Sequence, residues 1–217
     1  DPSVREAWLD RLWAYAKPLP PSFNSLKANI LYRRLDHDRS KGVYDPERFL
    51  EYLKLPRQVP YANPRWIERL RERDTVWIDL NASFAEARLG LPPVGSDETL
   101  VREYFLEIFA KAAIANAAGT VEEKLAPWLE FVQDKWLKPV FAEAMIVNGI
   151  GTPEQWAGLL SPTAFQRLKE RVDVEFVANN AQFVRPGDPV RIDVFVTNVP
   201  KLIIKDYEIN RLSFFLQ

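Results

Sequence analysis

The stretch that decides the fold is FVRPGDPVRIDVFVTNV, Phe183–Val199, because the spacing of apolar residues changes there. Branched apolar residues occupy every second position: Val190, Ile192, Val194 and Val196. This two-residue period is typical of a β-strand, and the RPGD sequence at Arg185–Asp188 favours a turn. Upstream of about Asp173 the apolar spacing is helical instead. The sequence therefore predicts an α+β protein.

The change in spacing divides the chain into an irregular multi-helix N-terminal domain, 1–172, and an antiparallel β segment, 173–217. Four strands are expected in this segment, with 189–197 pairing with 201–209. A two-sheet sandwich needs about 100 residues and seven strands. The β segment is therefore expected to be the start of a truncated β-sandwich. The competing interpretation is an autonomous α+β protein whose small sheet packs against the helices.

Most helices are predicted from their first residues. Asp, Asn, Thr or Ser stands directly before Pro at four predicted helix starts: Asp45, Asn63, Thr152 and Ser161. These residues cap helices, and Pro is favoured at the first helical position. Thr120 and Glu123 form a capping box. The segment Thr75–Phe84 fits either a short strand or an extended crossing.

Composition excludes several classes of function. The chain has 29 basic and 30 acidic residues and a net charge of −1, so we expect no nucleic-acid partner. It has no cysteine, which excludes disulfides, thiolate metal sites and a cysteine nucleophile. No apolar run approaches the roughly 18 residues of a membrane-spanning helix. No transmembrane segment is therefore expected in this chain.

Two features could carry chemistry. His37, the single histidine, lies between Asp36 and Asp38, but we expect a solvated polar turn and no metal site. Glu103 and Glu107 are four residues apart and could serve as acid and base, although a solvated helix face is the expected role. We therefore predict no catalytic, cofactor-binding or metal-ligating residue.

A glycine pair joins two predicted helices. Gly149 is expected to end one helix with a positive φ, and Thr152 to begin the next. Substitution at Gly149 is expected to cost more than substitution at Gly151. A phosphate at this helix start is the alternative, but Pro153 removes one of the donors it would use.

The β segment resembles the start of a macroglobulin-like domain, an immunoglobulin-like (Ig-like) β-sandwich. Residues 183–209 carry the resemblance: Phe183-x-Arg185-Pro186-Gly187-Asp188-x-Val190, then Val194-x-Val196-x-Asn198-Val199 and Leu202-Ile-Ile-Lys-x-Tyr207. The helical part is similar to a region of very long bacterial proteins. The resemblance implies a periplasmic or extracellular location.

Three functions follow as hypotheses. The leading one is a non-catalytic interaction or scaffold region of a larger exported or envelope protein. Its partner would be the remainder of its own longer chain or another protein, with self-association possible through the β segment. The alternatives are a hydrolase-type enzyme using a Glu/Asp pair in the helical domain, and a peptide-binding groove lined by Trp8, Trp66 and Trp128.

Overall fold

A computed structural model of the chain describes residues 2–73, 75–84, 89–115, 119–177, 180, 184–185, 187–197, 199 and 201–205. The described part is mostly helical, with one small antiparallel sheet, which confirms the α+β prediction at that level. Its α-helices are α1 Pro2–Ala16, α2 Asn24–Ser40, α3 Pro46–Lys54, α4 Pro64–Arg71, α5 Glu98–Ala115, α6 Val121–Leu125, α7 Asp134–Val147, α8 Pro153–Trp156 and α9 Pro162–Glu170. Its β-strands are β1 Asp173–Phe176 and β2 Val194–Thr197.

Helix starts follow the predicted caps. The Asp45 side chain accepts from the backbone N–H groups of Glu47 and Arg48, and Ser161 accepts from that of Ala164. Such bonds satisfy N–H groups that have no partner inside the helix. Thr120 and Glu123 form the expected reciprocal capping box at α6.

The main core lies between α2, α3, α5 and α7. Aromatic rings dominate it, and Phe105 stacks on Phe109 at 5.4 Å and meets Trp128 edge-on at the same distance. Phe109 in turn packs against Phe141 of α7. A smaller cluster lies against α1, where Trp8 and other half-buried side chains cover Ala16, Leu26, Ile30 and Leu91.

Two chain segments cross with near two-fold symmetry just before α4 and α7. Asn63 N–H donates to the Phe131 carbonyl at 2.8 Å, and Gln133 N–H donates to the Tyr61 carbonyl at 2.9 Å. A tryptophan lies three residues after each of the two amide residues, Asn63 and Gln133. Its ring packs on the aromatic residue of the other segment, Trp66 on Phe131 and Trp136 on Tyr61. The same aromatic-x-amide-x-x-Trp spacing therefore supplies both halves of the crossing.

This crossing corrects one expectation from the sequence. The eight-residue spacing of Trp128 and Trp136 predicts that both lie near one face of a single helix, but α6 ends at Leu125 and α7 begins at Asp134. The segment Thr75–Phe84 forms no strand, so the second of its two interpretations, an extended connection, is the correct one. It is fastened by side chains of α2, since Asn24 Nδ2 donates to the Val76 carbonyl and Ser25 Oγ accepts from Asp79 N–H.

The predicted strand pairing is wrong. β2 pairs antiparallel with β1, so that Val174 faces Val196 and Phe176 faces Val194. Residues 201–205 form no strand, and residues 206–217, which include the rest of the third predicted strand and the fourth, lie outside the described residues. β2 therefore pairs with β1, which precedes it in the chain, and not with the predicted strand 201–209 that follows it.

The glycine pair between α7 and α8 has positive φ at both positions, +63° at Gly149 and +73° at Gly151. A Cβ at Gly149 would meet no atom within 4 Å. At Gly151 it would overlap Gln155 Oε1, which accepts from Thr152 N–H and completes the cap of α8. This reverses the expected ranking of the two glycines.

We therefore predict that Gly151→Ala destabilises the protein more than Gly149→Ala. Both variants pay the left-handed backbone penalty of about 1–2 kcal/mol, and Gly151→Ala also displaces the capping side chain. Gly158→Ala is the matched control, because its Cβ meets nothing and its φ is not positive. Urea unfolding measures all three, and equal losses at Gly149 and Gly151 would contradict the prediction.

Candidate interaction site

A cleft of about 560 Å³ lies between the helices and the two-stranded ribbon. Its volume is in the range of small-molecule and side-chain binding pockets. Its walls come from the ends of α2 and α7, the middle of α5, and the two strands. They are formed by Arg39, Ser40, Tyr44, Glu103, Leu106, Glu107, Glu143, Ala144, Val147, Asn148, Arg171, Glu175, Phe195 and Val196.

Ion pairs order the charged walls of this cleft. Arg39 binds Glu103 of α5 and also Asp36, at 2.8 Å. Arg171, at the end of α9, lies 3.3 Å from Glu175 of β1. Such pairs fix side-chain positions, although exposed pairs contribute little to stability. The cleft therefore presents alternating charges beside apolar surface.

Tyr44 forms part of the floor and keeps its proton. Burial and the nearby carboxylates of Glu107 and Glu103 raise the pKa of Tyr44 to about 12. Its ring meets that of Tyr104 edge-on at 5.0 Å, and Lys111 Nζ lies 5.2 Å from the centre of the Tyr44 ring. A neutral hydroxyl at the floor of the cleft can donate a hydrogen bond to a carbonyl or carboxylate of a partner.

The two glutamates considered as acid and base both line this cleft. Glu103 is held by Arg39, so it is not the free solvated group expected from the sequence. The three tryptophans of the alternative hypothesis are not brought together. Trp128 is in the main core and Trp66 packs on Phe131, while Trp8 covers the small cluster near α1.

A second polar cluster is buried beneath the surface. One carboxylate oxygen of Asp97 accepts from Tyr52 Oη at 2.7 Å, Tyr61 Oη at 2.8 Å and Arg57 Nη1 at 2.9 Å. The Arg57 guanidinium also lies 3.8 Å from the centre of the Tyr52 ring. Burial raises the pKa of Tyr52 well above its ordinary value, so that the hydroxyl remains a donor. Sequence reasoning missed this cluster, since no local motif joins its members.

His37 is not the solvated turn residue that the sequence predicted. It lies in the last turn of α2 and is 7% exposed, and its Nε2 is 3.8 Å from Glu6 of α1. Burial, with Lys41 and Arg34 nearby, lowers the pKa of His37. Arg34 of α2 forms ion pairs nearby with Glu6 of α1 and with Asp38 of α2, so charged side chains connect α1 to α2.

Two features are absent from the described residues. No group of three His, Asp or Glu side chains there is arranged to hold a metal ion. No helix in that part of the chain is long and apolar enough to cross a membrane.

Comparison with known proteins places this mostly helical chain in a family. The chain belongs to the actin-binding protein F N-terminal domain family, whose model matches residues 1–172. Actin-binding protein F of Dictyostelium discoideum is 26% identical over 216 residues. That alignment covers 98% of this chain but only 8% of the relative's length. No solved structure matches the chain.

This family membership corrects the resemblance inferred from the sequence. The chain was expected to resemble macroglobulin-like, Ig-like and bacterial proteins, and that identification is wrong, because the match is to an actin-binding protein family. The periplasmic or extracellular location rested on that resemblance and is wrong for the same reason. The short RPGD turn followed by alternating apolar residues is too common among β-modules to identify one of them.

We predict that Asp97→Asn destabilises the protein by about 3–5 kcal/mol, since the variant leaves the buried Arg57 charge uncompensated. Tyr52→Phe keeps the ring beneath Arg57 and removes one hydrogen bond to a charged group, at a cost of about 1.5–3 kcal/mol. Chemical denaturation of both variants tests this order. If Asp97→Asn lowers the free energy of unfolding less than Tyr52→Phe does, the carboxylate is not the centre of the cluster.

We also predict that His37 makes the protein less stable as the pH falls from about 7.5 to about 5.5. The pKa of His37 is lowered in the folded state, so the unfolded chain takes up the proton first as the pH falls through about 6.5. The resulting slope cannot exceed about 1.4 kcal/mol per pH unit for one group. His37→Gln should flatten the pH dependence of the unfolding free energy, and parallel curves would refute the prediction.

Proposed function

We propose that this chain is a non-catalytic protein-interaction domain of a larger cytoskeletal protein and that its partner is actin. The observation that carries the proposal is the family match over residues 1–172. The relative's name states that it binds actin, and the aligned region is a small share of that protein. A location in the cytoplasm, where actin is found, is part of the same proposal.

The cleft supports the proposal as the place where a partner would bind. Its walls combine exposed apolar surface, as at Phe195, with fixed charges from Arg39 and Glu103. Interfaces commonly have an aromatic anchor surrounded by polar groups. The pairing of Glu103 with Arg39 fits a recognition surface better than an acid–base pair.

We further propose that residues 1–172 and 173–217 are separate structural units, the first helical and the second an antiparallel β segment. The family match ends at residue 172, and β1 begins at Asp173. The apolar cores of the described residues consist of helical and loop residues, while the ribbon keeps large apolar side chains exposed. These observations favour a boundary between α9 and β1.

Co-sedimentation with actin filaments tests the proposed function. The 217-residue chain should pellet with filaments and saturate as its concentration rises. Phe195→Ser removes an exposed ring from the cleft wall and should weaken binding at least about tenfold, equivalent to a loss of about 1.4 kcal/mol. Ile114→Ser is the matched control, because Ile114 is similarly exposed, at 73% against 65%, and does not line the cleft.

The possible outcomes test actin as the partner and the cleft as the binding surface separately. A chain that remains in the supernatant at every filament concentration would contradict actin as the partner. A Phe195→Ser variant that pellets as well as the unsubstituted chain would contradict the cleft as the binding surface. Equal weakening by the Phe195 and Ile114 substitutions would contradict the cleft too.

A further inference from the structure

The helices of the described residues leave most of one apolar face of the ribbon uncovered. Because side chains alternate across a strand and directly paired residues share a face, Val174, Phe176, Val194 and Val196 lie on the same side. Val190 and Ile192 precede β2 at the same two-residue spacing. These six residues, of which Val190 and Ile192 are placed by their spacing alone, make up the apolar face. Phe176 and Val190 are each 72% exposed, and Ile192 is 57% exposed.

The helices lie toward the opposite side of the ribbon. Glu175 and Phe195, which point away from the apolar face, line the cleft together with Tyr44 and Glu107 of the helical part. Val196, at the end of the apolar face nearest α9, also reaches the cleft. The remainder of the apolar face has no helix to cover it in the described part of the chain. Contiguous exposed apolar surface of this kind marks a contact with another element.

Within the described residues, the ribbon also has an open edge on each strand. Among the described residues each strand has a single neighbour, so each keeps an edge of backbone N–H and C=O groups. Open edges accept further strands, and an isolated two-stranded ribbon is marginal in stability. An occupant that satisfies both the edge and the apolar face is therefore itself made of β-strands.

The family comparison indicates where such strands come from. The matched family is an N-terminal domain, and the aligned region covers 8% of the Dictyostelium relative, whose polypeptide therefore extends far beyond it. The ribbon follows the matched region directly along the chain. Strands that follow in the same polypeptide are tethered to the ribbon, which gives them a high effective concentration at its surface.

We propose that the apolar face of the ribbon docks against further β-strands of the same polypeptide, which follow residue 217, and that the ribbon begins a larger β-module. The helical domain is then followed by a second folded unit whose first two strands are β1 and β2. This inference does not depend on actin binding, because it is tested at Phe176 and Ile192, which do not line the cleft.

The test places the same substitutions in two polypeptides: the 217-residue chain, and a longer chain that continues along its gene. In the longer chain Phe176→Lys and Ile192→Lys should lower the thermal midpoint, because both side chains are buried there. In the 217-residue chain they should leave the midpoint unchanged and reduce the fluorescence of a bound apolar dye. Ile114→Lys, on exposed α5 surface, is the control and should behave alike in both chains.

Hydrogen exchange and sedimentation give independent readouts. Amides of residues 174–176 should exchange more slowly in the longer chain, which should be monomeric. Substitutions that are equally neutral in both chains would overturn the proposal. A longer chain that forms a dimer, which Phe176→Lys dissociates, would overturn it in favour of a second copy as the occupant. Exchange at 174–176 that is already slow in a monomeric 217-residue chain would also overturn it.

Discussion

The helical part depends on one buried carboxylate. Asp97, directly before α5, accepts hydrogen bonds from Tyr52 of α3 and from Arg57 and Tyr61 in the loop after α3. A buried charge is tolerated only when it is paired and hydrogen-bonded, so α3 and α5 cannot separate without exposing an unsatisfied group. The burial that raises the pKa of Tyr52 and Tyr61 keeps both hydroxyls available as donors. This constraint sets where α5 begins relative to α3.

Tyr61 extends that constraint to the second half of the helical part. Its carbonyl accepts from Gln133, and its ring lies 5.2 Å from that of Trp136. The equivalent contacts on the other side use Asn63 with Phe131. Since the crossing directly precedes α4 and α7, its hydrogen bonds position the starts of both helices. Contacts therefore connect Asp97 through Tyr61 to the start of α7, whose last turns form one wall of the cleft.

The cleft is the proposed partner-binding surface on this scaffold. Its glutamates could be identified in the sequence as a pair four residues apart on a helix, but their surroundings could not. Arg39, which holds Glu103, lies on another helix, and Phe195 comes from the ribbon. A spacing within one helix reports which side chains are neighbours there, whereas recognition depends on groups from distant parts of the chain. The cleft was therefore outside the reach of pattern analysis.

The sequence by itself determined the helix starts and the change to β-structure, because caps and alternation act within a few residues. Asp45 caps α3 as its position before Pro46 predicts. Only the tertiary structure decided which strands pair and which polar residues are buried. His37 looks solvated beside its charged neighbours, yet the packing of α1 on α2 encloses it. The pairing of β2 with β1 could not be predicted, because alternation shows which side of a strand is apolar and carries no information about its partner.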